Sequence, residues 1–298
     1  IRDFEQRFIF KSRNPSRTGW DEIDRITHQG LGTGELGVVI APTGAGKSMA
    51  LVHLGSQAIM DGRNVIYYTL ELSDTVVGSR FDSCITKVPL NDLRGFKEEI
   101  YEKIQDIEGS LIVKEYPTKS SSVATLKAHL EKVITRGFKP DVIIVDYADL
   151  LRPISTLREK RHELETIYEQ LRGLAQEYKC CVWTASQTNR SGLNAEVITM
   201  ESISEAFNKC FVADFIFSIS RTTEDKLSNQ GRIFIAKNRN GEDGLIYPIY
   251  MDTSNITIKV LPSSGETIGE VQKDAKKKQE AKLKEKYAQF KNKQKGKK

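Results

Sequence analysis

The residues with the clearest chemical purpose begin at Ala41-Pro42-Thr43-Gly44-Ala45-Gly46-Lys47-Ser48. An apolar run over residues 36–40 precedes this segment, and a helix-period segment opens at Lys47. A loop between strand and helix turns its backbone N–H groups, and the positive end of the helix, toward a phosphate chain. In such a loop the Lys reaches the β- and γ-phosphate oxygens and the Ser hydroxyl ligates Mg²⁺. Glycine at 44 and 46 lets the backbone approach the phosphates closely, and Ala41 replaces the usual first Gly at a position that contributes mainly its backbone. The segment reads as a site for ATP with Mg²⁺ built from Thr43, Gly44, Ala45, Gly46, Lys47, Ser48 and Met49; an ordinary glycine-rich turn is the alternative.

Hydrolysis also needs a carboxylate to orient the metal and a group to align or deprotonate water. Val142-Ile143-Ile144-Val145-Asp146 is a buried-strand pattern that ends in a carboxylate, suited to the Mg²⁺ water shell or to a simple turn. Glu71 closes the apolar run over residues 65–70 and reads as the general base, with a helix-capping carboxylate as the alternative. A third run, residues 180–185, leads into Ser186-Gln187-Thr188-Asn189-Arg190, where Gln187 can sense a γ-phosphate or stand as a surface amide. In Ile235-Ala236-Lys237-Asn238-Arg239-Asn240-Gly241 two cations lie one residue apart at a strand end. Such a pair is either a solvated edge or a source of positive charge for a γ-phosphate; since the loop already has its own Lys, the pair suits a neighbouring molecule's site.

Positioning these residues requires strand ends that lie side by side. Apolar runs over residues 36–40, 65–70, 111–113, 142–145 and 180–185 alternate with helix-period segments from 47, from 73, over 122–136 and over 162–178. Alternation with continuous Val/Ile runs predicts an α/β domain with a mostly parallel sheet and helices on both faces. Further runs over 215–219, 233–236, 245–251 and 256–260 have short connections and predict an antiparallel extension. In an open sheet of this kind the chemistry gathers at the carboxyl ends of the strands, so Glu71 and Asp146 are expected to face one nucleotide.

The chain has 298 residues, 39% hydrophobic and 29% charged, enough to bury a substantial core. No apolar run approaches the roughly 20 residues of a membrane helix, and the first residues lack the build of a secretory signal. The sequence therefore predicts a cytoplasmic protein without membrane contact, possessing a linker remnant over residues 1–17, an ATPase domain over 18–262 and a basic tail over 263–298. The formal charge of +5 is unevenly held: residues 273–298 carry twelve Lys against three acidic residues, which leaves −4 on residues 1–272. Bulk charge is thus a poor argument for nucleic-acid binding by the body. Cys84, Cys180, Cys181 and Cys210 form no C-x-x-C pair and read as reduced core residues; the scattered His28, His53, His129 and His162 suggest no zinc site.

Taken together, Thr18-Gly19-Trp20-Asp21, Gly30-Leu31-Gly32-Thr33-Gly34-Glu35, the phosphate loop, Thr69-Leu70-Glu71, Val145-Asp146-Tyr147, Ser186-Gln187-Thr188-Asn189-Arg190, Ala213-Asp214 and Lys237-Asn238-Arg239-Asn240-Gly241 resemble the RecA-like motor domain of DnaB-family replicative helicases over residues 15–262. The resemblance implies a P-loop ATPase that works as a ring, a hexamer, moving 5′ to 3′ on single-stranded DNA. By position it makes Glu71 the base, Asp146 the Walker B acid, Gln187 the sensor, Arg239 with Lys237 the finger pair from the adjacent subunit, and Arg80 a further arginine near the nucleotide. It also implies a primase and a helicase loader as partners, although the family's amino-terminal collar has no counterpart in this sequence. DNA contacts are expected from the loop after Asp146, with Arg152, Arg158 and Lys160, and from the loop after Gln187, between Arg190 and Lys209. A RecA-like recombinase, acting as an ATP-switched filament, is the alternative, and a non-enzymatic nucleotide-binding scaffold is disfavoured by the presence of both Glu71 and Asp146.

Overall fold

A computed structural model describes residues 13–154, 160–188 and 210–263, with Gly265 and Glu270. Its nine-stranded sheet has the order β3-β2-β4-β5-β1-β6-β7-β8-β9. The strands are β1 (Leu36–Ala41), β2 (Val65–Thr69), β3 (Leu111–Glu115), β4 (Val142–Asp146), β5 (Cys181–Gln187), β6 (Phe215–Ser220), β7 (Gln230–Asn238), β8 (Ile246–Asp252) and β9 (Thr257–Val260). From β3 through β6 neighbouring strands are parallel. From β6 to β9 they are antiparallel. Both halves of the sheet follow the sequence expectation, and strand boundaries differ from it by a few residues.

Seven α-helices stand among the described residues: α1 (Asp21–Ile26), α2 (Lys47–Met60), α3 (Asp74–Thr86), α4 (Lys97–Gln105), α5 (Val123–Thr135), α6 (Lys160–Tyr178) and α7 (Thr223–Leu227). Alternate residues of each central strand enter opposite cores. Tyr67 and Ile144 pack with Leu51, Phe81 and Trp183 on the face of α2 and α3. Tyr68, Ile143 and Val145 pack with Leu126, Tyr168 and Leu171 on the face of α5 and α6. A strand buried on both faces reads as an unbroken apolar run, which explains the Val/Ile pattern. Ser73 caps α3 by accepting from the Val76 N–H, and Ser122 opens α5 with a capping box closed by Thr125. The four cysteines are buried and none is in a disulfide, and no helix among the described residues is long and apolar enough to cross a membrane.

The helix α4 was not expected. None of its residues is fully buried; its apolar stripe is short, Ile100 and Ile104 one turn apart and only half-buried, in a segment that is otherwise charged.

Next to the first core, the Trp20 indole stacks on the His53 imidazole at 4.7 Å between ring centres and 5° between planes. The Thr18 carbonyl oxygen lies 3.1 Å from His53 Nε2 and can only accept, so Nε2 carries the proton. Burial, reinforced by the nearby Lys87 charge, lowers the His53 pKa from 6.5 to about 4. Because the folded value lies below the unfolded one, the unfolded chain binds the extra proton first. Stability is complete above pH 6.5 and declines as pH falls toward 4, by about 3 kcal/mol. Denaturant unfolding at pH 7 and pH 4.5 checks this: His53→Gln should lose markedly less stability between the two than the wild type, and equal losses would remove His53 as the cause.

Candidate nucleotide site

The turn after β1 carries the phosphate loop directly into α2. Gly44 and Gly46 adopt left-handed backbone conformations, φ 73° and 109°. At Gly46 the backbone conformation disfavours a side chain, and a Cβ there would also lie 2.1 Å from Met251 Cε, so the methionine tip would have to move. The loop borders a pocket of about 250 Å³ lined by Thr43, Gly44, Gly46, Lys47, Ser48, Met49, Glu71, Leu72, Arg80, Gln187 and Thr253. Lys47 is buried, donating to the carbonyls of Ala41 at 3.2 Å and Pro42 at 3.4 Å. Its ammonium stands 5.5 Å from the centre of the Tyr147 ring.

Register explains why residues far apart in sequence meet here. Ala41 pairs with Gln187 across β1 and β5, and Thr69 pairs with Asp146 across β2 and β4. Val145 pairs with Thr184, so the carboxyl ends of the four parallel strands lie within two residues of one another at one edge, at the place where open α/β sheets bind ligands. Glu71 lies two residues beyond the end of β2, not at its last position as the sequence suggested. Thr69 Oγ1 and Leu72 form the intervening bend through two hydrogen bonds of 2.7 and 3.1 Å. The cap of α3 is Ser73, so the capping alternative for Glu71 falls away.

Asp146 is 1% exposed. Its Oδ2 accepts from the Tyr67 hydroxyl at 2.7 Å, while Oδ1 is buried without a hydrogen-bond partner among the described residues. Burial raises its pKa; the Tyr67 and Ser48 hydroxyls and Arg80 oppose that rise, and Glu71 adds to it. A buried polar atom left unpaired is costly and marks a position suited to a missing partner. With Ser48 alongside, this oxygen suits the hard, water-rich coordination of Mg²⁺, so the residues present fit the metal that the loop implies.

Gln187 Nε2 donates to Thr43 Oγ1 at 2.8 Å, and the Tyr147 hydroxyl donates to Gln187 Oε1 at 3.2 Å. Asp149 accepts from the Gln187 N–H at 3.1 Å and from the Tyr168 hydroxyl at 2.9 Å. The expected sensor is therefore joined to the loop it would monitor.

Lys237 and Arg239 are not brought to this pocket. Asn238 pairs with Phe215, which pairs with Gly37, so the end of β7 lies beside the start of β1, opposite the phosphate loop. Arg239 meets Asp214 Oδ1 at 3.2 Å. That carboxylate also takes two bonds from Arg172, at 3.0 and 3.1 Å, and one from the Leu36 N–H at 3.0 Å. Lys237 donates to the Phe211 carbonyl and sits 4.3 Å from the centre of that ring.

Residues 16–255 match the family of the DnaB-like helicase C-terminal domain. The chain belongs to this family. A DnaB-like replicative helicase of Enterobacteria phage T4 is 30% identical over 234 residues, covering 74% of this chain and 49% of the relative. The replicative DNA helicase DnaB of Buchnera aphidicola subsp. Baizongia pistaciae is 24% identical over 256 residues, covering 80% of this chain and 54% of its own length. The chain thus spans about half the length of these relatives. Among solved structures, an isolated ATPase domain superposes with a TM-score of 0.71 at 16% identity, covering 87% of this chain and 95% of the other. A DnaB-like replicative helicase solved with a view to its interactions with primase gives the same TM-score and identity, over 87% of this chain and 66% of that one.

Within the DnaB-like domain the expected DNA contacts are only partly on view. Arg152 is exposed, its backbone N–H bonded to the Ser121 carbonyl at 2.8 Å. Arg158, Arg190, Lys209, the Lys160 side chain and the basic tail over 271–298 lie outside the described residues. Sequence reasoning missed Leu72 and Thr253 in the pocket wall and the contacts of Tyr67 and Tyr147. Tyr147 had a signal, its place directly after Asp146; Thr253 had none, because it arrives from the β8–β9 turn.

Proposed function

We propose that this domain hydrolyses ATP with Mg²⁺ and uses the turnover to move along single-stranded DNA, 5′ to 3′, as the motor of a replicative helicase. The observation that carries the reading is the convergence of Lys47, Ser48, Glu71, Arg80 and Gln187 on one pocket, with Asp146 behind it. Lys47 and the loop N–H groups hold the β- and γ-phosphates, and Arg80 adds charge at the pocket wall. Ser48 and Asp146 hold Mg²⁺, which supplies neutralisation of charge developing on the phosphate oxygens. Glu71 takes the proton of the attacking water, and Gln187 aligns that water or the γ-phosphate. Lys237 and Arg239 face away from this pocket and complete the site of an adjacent subunit, which makes the assembly a ring, in this family reading a hexamer. The chain works in the cytoplasm, with primase and a loader as partners; a primase partner is supported by the structural neighbour solved with its interactions with primase in view.

The test is ATP hydrolysis with and without oligo-dT, beside strand displacement on a forked duplex bearing a 5′ tail. Hydrolysis stimulated by the oligonucleotide, with ATP-dependent displacement, is the expected result. Electron microscopy with a non-hydrolysable ATP analogue and oligo-dT should show rings or short spirals; extended filaments without displacement would favour a strand-exchange protein.

A further inference from the structure

We propose that Tyr147 is a positioning residue for hydrolysis, its hydroxyl fixing the direction of the Gln187 amide and its ring backing the Lys47 ammonium. This rests on the nucleotide site proposed above. The Gln187 backbone is already anchored, by its N–H to Asp149 and by strand pairing to Ala41. Rotation of the terminal amide is the freedom that remains. An amide has a donor end and an acceptor end, and a reversed Gln187 would aim its oxygen at Thr43 and at any phosphate beside it, where like charges repel. The Tyr147 hydroxyl favours the observed orientation by giving its proton to Oε1 at 3.2 Å, with Nε2 turned toward Thr43 at 2.8 Å; reversal would require the Tyr147 and Thr43 hydroxyls both to turn over.

Tyr147 is suited to the donor role: its phenol hydroxyl has a proton to give, and the amide oxygen Oε1 can only accept one. The nearby Asp149 is occupied by Tyr168, Ser186 and the Gln187 N–H. The same ring lies 5.5 Å from Lys47 Nζ, a cation over an aromatic face, which steadies the ammonium beside the loop. One side chain thus touches both the phosphate-binding cation and the sensor, and it follows directly on the Walker B acid.

Tyr147→Phe removes the hydroxyl and keeps the ring. Measured by single-turnover and steady-state hydrolysis in the full chain, it should lower kcat about fivefold while KM for MgATP stays within about twofold. Tyr147→Ala, which also removes the ring, should raise KM as well. In a Gln187→Ala background Tyr147→Phe should cost nothing further, because the group it orients is gone. Wild-type kcat in Tyr147→Phe, or an undiminished additional loss in the Gln187→Ala background, would overturn the inference. Hydrolysis that survives Lys47→Ala would instead overturn the nucleotide site itself, so the two failures are distinguishable.

Discussion

Lys47→Ala leaves the fold in place and lowers ATP hydrolysis by about a hundredfold or more. The ammonium is the cation placed to meet phosphate oxygens as charge develops on them, in a buried setting where such an interaction is stronger than in water. Of its hydrogen bonds, those to the Ala41 and Pro42 carbonyls leave each carbonyl with a backbone donor when the ammonium is lost, the Thr188 N–H at 3.4 Å and the Ala45 N–H at 3.2 Å. Circular dichroism, nucleotide titration and steady-state turnover check the prediction together. An unchanged far-ultraviolet spectrum with a collapsed rate is the expected pattern; undiminished hydrolysis would sink the assignment of the loop.

Arg239→Ala has an equally large expected effect on turnover by a different route. Each chain should still bind ATP, since Arg239 stands at the far end of the sheet from its own pocket, but hydrolysis should fall by about a thousandfold. Stability should hardly change. The Arg239 side chain is 42% exposed, and Asp214 keeps Arg172 and the Leu36 N–H after the arginine is lost; an ion pair so placed is worth about 0–1 kcal/mol. Mixing Arg239→Ala with Glu71→Gln protein should restore activity, to about a quarter of wild type under random exchange in a cyclic ring. Labelled subunits establish that exchange occurs, and no rescue once it has would refute a shared site.

Much of this was legible in the sequence because parallel strands advertise themselves. Residues 142–145 are apolar without alternation, 181–185 are interrupted only by Thr184, and the polar residue that follows each run falls at the sheet's carboxyl edge. Gly46 announced a left-handed turn by its type. What could not be read was which polar tips would meet across strands. Tyr67 looked like one more apolar residue of β2, yet its hydroxyl holds Asp146, seventy-nine positions away in sequence. The helix α4 hid for the opposite reason, because it half-buries only Ile100 and Ile104 and buries no residue fully. Placement of Lys237 and Arg239 away from the pocket followed from strand direction: a parallel strand would have delivered them to the phosphate end, and the antiparallel turn of β7 carries them to the other.

Met251 lies against Gly46, its terminal methyl 2.1 Å from where a Cβ would stand. It belongs to β8, which is laddered to β7, the strand that carries Lys237 near its end and leads into Arg239. One hairpin thus touches the chain's own phosphate loop and bears the cation pair at its far end. Under the shared site proposed above, a neighbour's nucleotide bound to that pair would be joined to this loop through two hydrogen-bonded strands.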